Sequence, residues 1–235
     1  MNDINIERNI LAPEVFFRKV DLANQNTSNT RSCPESFFNV AIEDLTLENK
    51  HLIRGEFSYS KVRNVTFRSI DFEGAEFNYT DLEEVVFVRC KLTRSSFNFA
   101  RMRNIRFIDC LMFRSSFDYA SGKASFDHCE VHGVEFHHVK AETELHLSQC
   151  AGQCIEFNYS PDLIISAEDC DFHEGQFNDS RISGRLSQCV LTNSDFLNSD
   201  CIGIDFQGCT MREMNIDGSS GVSCGDEEEE IFGIE

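Results

Sequence analysis

The sequence predicts an all-β protein built as a coil of short stacked sides, and two repeat periods support this prediction. From Phe37 to Phe117 an apolar residue occupies every fifth position without interruption. A second period of about twenty residues runs through many of the 22 Phe and 11 Cys of the 235-residue chain. Because a five-residue period matches neither a helix nor a flat strand, each five residues are expected to form a short strand and a turn.

Two of each five positions are expected to face inwards. A smaller apolar or hydroxyl residue stands two residues before the repeating apolar residue, as Ala75 does before Phe77 and Ser95 before Phe97. The other three positions are mostly polar. This ratio of inward to outward residues fits a short strand followed by a turn.

Phe and Cys define two columns that recur once per coil, and both are predicted to belong to the structural core. The Phe column consists of Phe57, Phe77, Phe97, Phe117, Phe136, Phe157, Phe177 and Phe196. The Cys column consists of Cys90, Cys110, Cys129, Cys150, Cys170, Cys189 and Cys209. The spacings of both columns lengthen and shorten together, as expected when four five-residue sides make one coil and coils stack.

The Cys column is expected to consist of reduced, buried packing residues. Stacked Cβ atoms one strand apart would be ~4.8 Å from each other, longer than the ~3.8 Å that a disulfide prefers. A buried free thiol behaves as a small hydrophobic group. A redox or metal-binding role for the column is the alternative.

Departures from the twenty-residue period fall at the same part of successive coils. One residue is lost near Gly122 and another near Gly184, and one is gained between positions 139 and 145. Glycine is expected at such tight corners because it adopts backbone conformations that other residues avoid. The stretch Ser160–Asp162 is predicted to form a bulge at this corner.

Several five-residue units resemble those of the pentapeptide-repeat family, whose units read A-(D/N)-L-x-x. The matching units are Ala75–Tyr79, Ser95–Phe99, Ser115–Tyr119 and Ser194–Asn198. The resemblance covers roughly residues 37–219. It implies a right-handed quadrilateral parallel β-helix of about nine coils, roughly 43 Å long at ~4.8 Å per coil.

The repeat pattern divides the chain into three parts. Residues 1–36 do not keep the period and are predicted to be a cap or linker, residues 37–219 the β-helix, and residues 220–235 an acidic tail. Residues 12–22 are predicted to form a short helix that covers the first coil, because solenoids need caps. A polar delivery segment around residues 24–32 is the alternative reading of the first part.

Composition and charge exclude several classes of protein. The formal charge of −19 argues against direct binding to nucleic acid, because phosphate binding needs a basic surface. No stretch approaches 18 apolar residues, so no membrane span is expected. The first residues lack the basic and apolar regions of an ordinary secretory signal, and the odd Cys count fits a reducing compartment, so a cytoplasmic location is expected.

No catalytic motif is found in the sequence. A Gly-rich phosphate loop, a nucleophile elbow, a C-x-x-C pair and a zinc-protease helix motif are all missing. The neighbouring His128, His132, His137 and His138 are expected to be polar surface residues. We therefore predict a protein that is not an enzyme, with no catalytic residue, no metal site and no cofactor.

Two surfaces are candidates for recognition. The first is an exposed aromatic stripe, two positions after the Phe column: Tyr59, Tyr79, Phe99, Tyr119, His138 and Tyr159. Aromatic residues are enriched in protein interfaces, although cross-strand stacking that merely stabilises the coil is an equal alternative.

The second surface is acidic, since residues 124–218 contain 17 acidic and 4 basic residues. Its candidate residues are Glu135, Glu156, Glu168, Asp169, Asp171, Glu174, Asp195 and Asp205. An acidic surface that serves only solubility is the alternative.

Two functions follow from these features. The Phe- and Cys-rich coils are similar to those of quinolone-resistance (Qnr-type) and microcin-immunity pentapeptide proteins, at Cys189–Ser194 and Ile204–Gly208. This resemblance implies a DNA-mimicking binder of type II topoisomerase (DNA gyrase) that gives resistance or immunity. Phe232–Ile234 resembles the C-terminal end through which such proteins form homodimers. The alternative is a secreted bacterial effector or a scaffold that binds a protein partner through the aromatic stripe.

Overall fold

The computed structural model describes residues 18–19 and 36–222, which form a single ten-stranded parallel sheet in sequence order. The strands are β1 (Arg18–Lys19), β2 (Val40–Glu48), β3 (Lys61–Arg68), β4 (Asp81–Val88), β5 (Arg101–Ile108), β6 (Ser121–Asp127), β7 (Thr143–Ser148), β8 (Leu163–Glu168), β9 (Arg181–Ser187) and β10 (Asp200–Gln207). Each strand pairs with the next at a register shift close to twenty residues, as in Val62↔Leu82.

The chain forms the predicted right-handed quadrilateral β-helix. Strands β2 to β10 mark nine levels, separated by eight turns of the coil, and each strand covers two adjacent sides. The other two sides carry isolated parallel bridges, which run from Ser36↔Glu56 and from His51↔Asp71 along the rod. In the described residues, no helix is long and apolar enough to cross a membrane.

Most corners are turned by a residue in the left-handed backbone region, at intervals of about five residues. In one coil these residues are Tyr59, Asn64, Ser69 and Gly74, with φ between 49° and 66°. A non-glycine residue in this region costs roughly 1–2 kcal/mol. Hydrogen bonds between coils oppose this cost, as when the N–H of Tyr59 donates to the carbonyl of Asn78 at 2.9 Å.

The interior is filled by stacked rings. The Phe column lies at 0% exposure, and the rings of Phe77 and Phe97 stack at 4.7 Å with an angle of 3° between their planes. A second buried column, which includes Phe87 and Phe107, meets the first edge-to-face, with Phe97 and Phe107 at 5.7 Å and 87°. Both arrangements are favourable for aromatic rings, so the two columns interlock.

The Cys column lies inside the rod as free thiols. All nine cysteines that the structure describes are free. In the column, Sγ of Cys110 lies 3.4 Å from the carbonyl oxygen of Ile108 and 3.5 Å from that of Phe87. Cys209, at the last coils, is only partly buried because fewer residues cover it.

The irregular corners lie where the sequence places them. At Gly122 (φ 104°) and Gly184 (φ 120°) the backbone approaches the previous coil so closely that a Cβ would lie 1.9 Å from Met102 O and 2.0 Å from Ile165 O, respectively. The register between β5 and β6 shifts at the same point. The inserted residue near position 140 is accommodated by a turn in which buried Thr143 donates its hydroxyl to the Lys140 carbonyl at 2.6 Å.

The predicted cap helix is wrong at the two residues of its span that the structure describes. Arg18–Lys19 form β1, which pairs in parallel with Val40–Ala41 of β2. The first coil presents unpaired backbone groups at its edge, and an added strand satisfies them whereas a helix cannot. The rest of the predicted helix, and the acidic tail from residue 223 onwards, lie outside the described residues.

We expect Gly122→Ala to lower the free energy of unfolding by about 3 kcal/mol or more, because the coils must separate to admit the methyl group. Gly133→Ala is the matched control, since Gly133 also has positive φ (60°) but its Cβ would meet only Arg114 Cγ at 3.6 Å. There the loss should be about 1 kcal/mol. Urea unfolding followed by circular dichroism measures both, and equal losses would contradict the predicted collision.

Candidate functional site

The structure places the six residues of the aromatic stripe in one column along one corner of the rod. Successive ring centroids are 4.6–5.1 Å apart and the planes are within 17° of parallel. The Phe and Tyr residues are 36–52% exposed, and His138 is exposed as well. The rings therefore present a continuous apolar band to solvent, edged by the hydroxyl groups of the four tyrosines.

The stripe occupies positions that the backbone does not favour for aromatic residues. All six have positive φ, between 54° and 61°. Beyond the stripe the same corner is occupied by Asn39, Asp179, Asn198 and Gly218, which are the residue types that tolerate this conformation best. Stacking between rings offsets the backbone cost over these coils, and it requires aromatic residues on consecutive coils.

Phe38 extends the stripe at its N-terminal end, which the sequence did not indicate. Its ring is half-exposed and lies 5.4 Å from that of Tyr59, at 59°. It stands one position before the corner column, so a search by period alone misses it. A smaller exposed stack, Phe113 on His132 at 4.9 Å, lies on another side of the coil.

A ladder of side-chain amides orders the side of the rod next to the stripe. The Oδ1 atom of Asn78 accepts the backbone N–H of Asn98 at 3.0 Å, and that of Asn98 accepts the N–H of Asp118 at 2.9 Å. The same contact joins Asn158 to Asn178 at 2.8 Å. These bonds run along the rod and hold the side chains beside the stripe in place.

His137 interrupts this ladder and lies among carboxylates. Its Nε2 is 2.8 Å from Glu156 Oε2, and its Nδ1 is 3.7 Å from Asp118 Oδ1. One ligand atom each of Asp118, Glu135 and His137 lie within 4.8 Å of one another. Burial, followed by the nearby Asp118 carboxylate, raises the pKa of Glu135. Only alignment of the coils could have revealed this group, because its members lie up to 38 positions apart.

The acidic candidates are spread around the rod. Glu135, Glu156 and Asp195 share one bridged column on the side next to the stripe. The other five lie on other sides or at corners of the coil: Glu168, Asp169, Asp171, Glu174 and Asp205. The acidic surface is therefore a property of the C-terminal coils as a whole.

The earlier coils differ, since residues 50–123 contain 13 basic and 9 acidic residues, and several of these charges are paired between neighbouring coils. Arg63 lies 2.9 Å from Glu83, and Arg103 lies 2.7 Å from Asp81 and 3.4 Å from Glu83. These contacts join neighbouring coils across exposed positions, where each is worth at most about 1 kcal/mol.

Cys154 is the exposed thiol among the cysteines that the structure describes. Its Sγ donates to Glu174 Oε2 at 3.1 Å, and this hydrogen bond, with some burial, raises the pKa of the thiol. A nucleophilic cysteine needs the opposite shift, because the thiolate is the reactive form. Cys154 is thus not activated for catalysis.

Two parts of the rod match a known family of repeats. The model of the family described as "Pentapeptide repeats" matches residues 70–109 and 185–220, in eight copies. These two stretches of the rod are therefore pentapeptide repeats, and the four-sided parallel coil continues through the residues between them. Among curated proteins no match is found.

Solved structures of pentapeptide-repeat proteins are similar to this chain at low identity. One is HetL from the cyanobacterium Nostoc sp. strain PCC 7120, a protein involved in the regulation of heterocyst differentiation, with 13% identity, 79% of this chain and 89% of that chain covered, and a TM-score of 0.39. Another is full-length QnrB1, a plasmid-mediated fluoroquinolone resistance protein, with 18% identity, 80% and 88% covered, and a TM-score of 0.33.

We expect alkylation of Cys154 by iodoacetamide to need a higher pH than an ordinary thiol. Since its pKa is raised, the reactive thiolate is scarce at neutral pH and the rate should still be rising above about pH 8.5, where a free cysteine is half ionised. Glu174→Gln should shift the profile to lower pH. Glu213→Gln should leave the profile unchanged, because Glu213 is exposed at the same corner two coils beyond Glu174 and three coils from Cys154. Mass spectrometry of the Cys154 peptide measures the rate, and identical profiles for wild type and Glu174→Gln would contradict the contact.

Proposed function

We propose that this pentapeptide-repeat protein acts by binding another protein, with the aromatic stripe as its contact surface. The single observation that carries the proposal is the continuous exposed stack of rings from Tyr59 to Tyr159. Aromatic side chains supply large contact area with few rotatable bonds, and tyrosine adds a hydroxyl for hydrogen bonding. The stripe therefore has the composition of an interface core.

The alternative role of the stripe is stabilisation of the coil by stacking. Two facts favour a binding role. The interior already contains two interlocked Phe columns, which stack without exposing apolar surface. The stripe, in contrast, places bulky residues at corners where Asn, Asp or Gly fits the backbone better. Exposed apolar area that the fold does not need is typical of a recognition surface.

The partner that we propose first is a type II topoisomerase, bound by DNA mimicry. The coils at Cys189–Ser194 and Ile204–Gly208 resemble those of proteins that protect this enzyme. Residues 124–218 contain 17 acidic and 4 basic residues, whereas residues 50–123 contain 9 acidic and 13 basic residues. An enzyme that binds the phosphates of DNA presents a basic channel, which an acidic rod complements. The result for the cell would be resistance or immunity to gyrase poisons.

The second candidate is a scaffold or a secreted effector that uses the same stripe on a different protein. It needs no acidic half, and it is favoured by the spread of the carboxylates around the coil rather than along one line. The two candidates differ in location, because a topoisomerase binder works in the cytoplasm, where the free thiols of the Cys column also stay reduced.

Supercoiling by purified gyrase decides between the two candidates. With a quinolone present, addition of the full chain should restore supercoiling in proportion to its concentration if the first candidate is right. Bovine serum albumin at the same concentration is the control for non-specific protection. If the chain neither restores supercoiling nor changes gyrase activity, the topoisomerase is excluded as the partner and the scaffold or effector remains.

The double variant Tyr79→Ala, Tyr119→Ala tests the stripe. Removing two central rings should weaken binding to gyrase at least tenfold, because buried aromatic anchors at an interface contribute about 2 kcal/mol or more each. Leu111→Ala with Phe113→Ala is the matched control, since both residues are exposed on another side of the rod. Biolayer interferometry measures binding, and circular dichroism verifies that the β-structure is kept.

Where gyrase does not bind, the same pair of variants is compared by quantitative cross-linking to cellular proteins. A partner that depends on the stripe is captured by wild type and by the Leu111/Phe113 control, but not by the Tyr79/Tyr119 variant. Equal capture by all three proteins would remove the stripe as the binding surface.

A further inference from the structure

We propose that Asp118, Glu135 and His137 form a binding site for one first-row divalent metal ion, with Glu156 orienting the histidine. The site lies on the side of the rod next to the stripe and spans three successive coils. It is independent of the protein-binding role proposed above, and it rests on the geometry of these four side chains.

The donor atoms converge. The three candidate ligands each offer one atom within 4.8 Å of the others, and all three side chains are partly buried. Two carboxylate oxygens and one imidazole nitrogen are a donor set that suits Mn²⁺ or Zn²⁺, which mix oxygen and nitrogen ligands. At metal–ligand distances of about 2.0–2.2 Å, small side-chain rotations bring all three onto one ion.

Glu156 supplies the orientation that a metal-binding histidine requires. Its Oε2 lies 2.8 Å from His137 Nε2, so the Nε2–H donates to this carboxylate and the lone pair is placed on Nδ1. Nδ1 is the nitrogen that faces Asp118, at 3.7 Å. A histidine ligand commonly donates its other ring N–H to a carboxylate, which selects the tautomer and strengthens the metal bond.

Without a cation, this arrangement brings acceptors together. Within the part of the chain that the structure describes, no residue donates a hydrogen bond to the Glu135 carboxylate, and Glu135 is bridged directly to Glu156 on the next coil. Like charges opposite each other on neighbouring strands are destabilising. A divalent ion between Asp118, Glu135 and Nδ1 replaces the repulsion between these groups by attraction to the ion. Protonation of the imidazole would add one positive charge against three carboxylates.

The position of His137 is a second observation, since it departs from the pattern of its own column. The corresponding residues of neighbouring coils are Asn98, Asp118, Asn158 and Asn178, whose side-chain oxygens accept a backbone N–H from the next coil. Histidine at this position has no side-chain oxygen to accept this N–H. The histidine occurs in the coil where the carboxylates of Asp118, Glu135 and Glu156 surround it.

Titration of the full chain with Mn²⁺ tests the site, with electron paramagnetic resonance measuring the free ion. Mn²⁺ is chosen because it binds thiols weakly, so the cysteines do not compete. We expect one tight equivalent in the wild type. His137→Asn removes one ligand and restores the residue type of the ladder, so it should fold normally and bind at least tenfold more weakly. His146→Asn, an exposed position of β7, should bind as the wild type does.

Thermal unfolding gives a second readout. Because a ligand that binds only the folded chain stabilises it, Mn²⁺ should raise the unfolding midpoint of the wild type and of His146→Asn, but not of His137→Asn or Glu135→Gln. Equal Mn²⁺ binding by wild type and His137→Asn, or no tight equivalent in the wild type, would overturn the proposal. Neither result bears on the stripe, whose variants keep all four residues of the metal site.

Discussion

Hydrogen bonds between equivalent positions of successive coils are the interaction on which the rest of the structure depends. The N–H of Phe97 donates to the carbonyl of Ser116 at 2.7 Å, and the same bond recurs at the other sides of the coil. Because these bonds hold adjacent coils one strand spacing apart, every side chain lies directly above its counterpart one period earlier. A residue type repeated once per period therefore becomes a continuous column, whether it faces inwards or outwards.

The inner and outer columns use the same stacking with opposite consequences. Inside, the Phe rings stack face to face and interlock with a second Phe column, so their apolar area is removed from water. Outside, Tyr79, Phe99 and Tyr119 stack at nearly the same distances but remain exposed. The coil holds these rings in a fixed arrangement, so little conformational entropy is lost when a partner binds. A pre-ordered surface of this kind suits recognition of a partner.

Exposed columns also bring charged side chains together, and the stacking of coils places like charges next to each other as readily as opposite charges. Alternation of Arg63, Glu83 and Arg103 along one column gives paired charges. Succession of Glu135 and Glu156 along another gives repulsion, with His137 and Asp118 close by. A rod of fixed register cannot move these groups apart, and a cation bound between them would relieve the repulsion, which is the physical basis of the proposed metal site.

The sequence by itself determined the coil, its four sides, the inward Phe and Cys columns and the corners at Gly122 and Gly184. The reason is that equivalent positions of successive coils have the same environment, so the same residue types recur at the period of the fold. It determined the stripe for the same reason, since all its members share one spacing. Only the tertiary structure decided that Arg18–Lys19 add a strand to the first coil and that Phe38 joins the stripe. It alone decided that Asp118, Glu135, His137 and Glu156 meet, because side-chain direction and distance across coils are not encoded in the period.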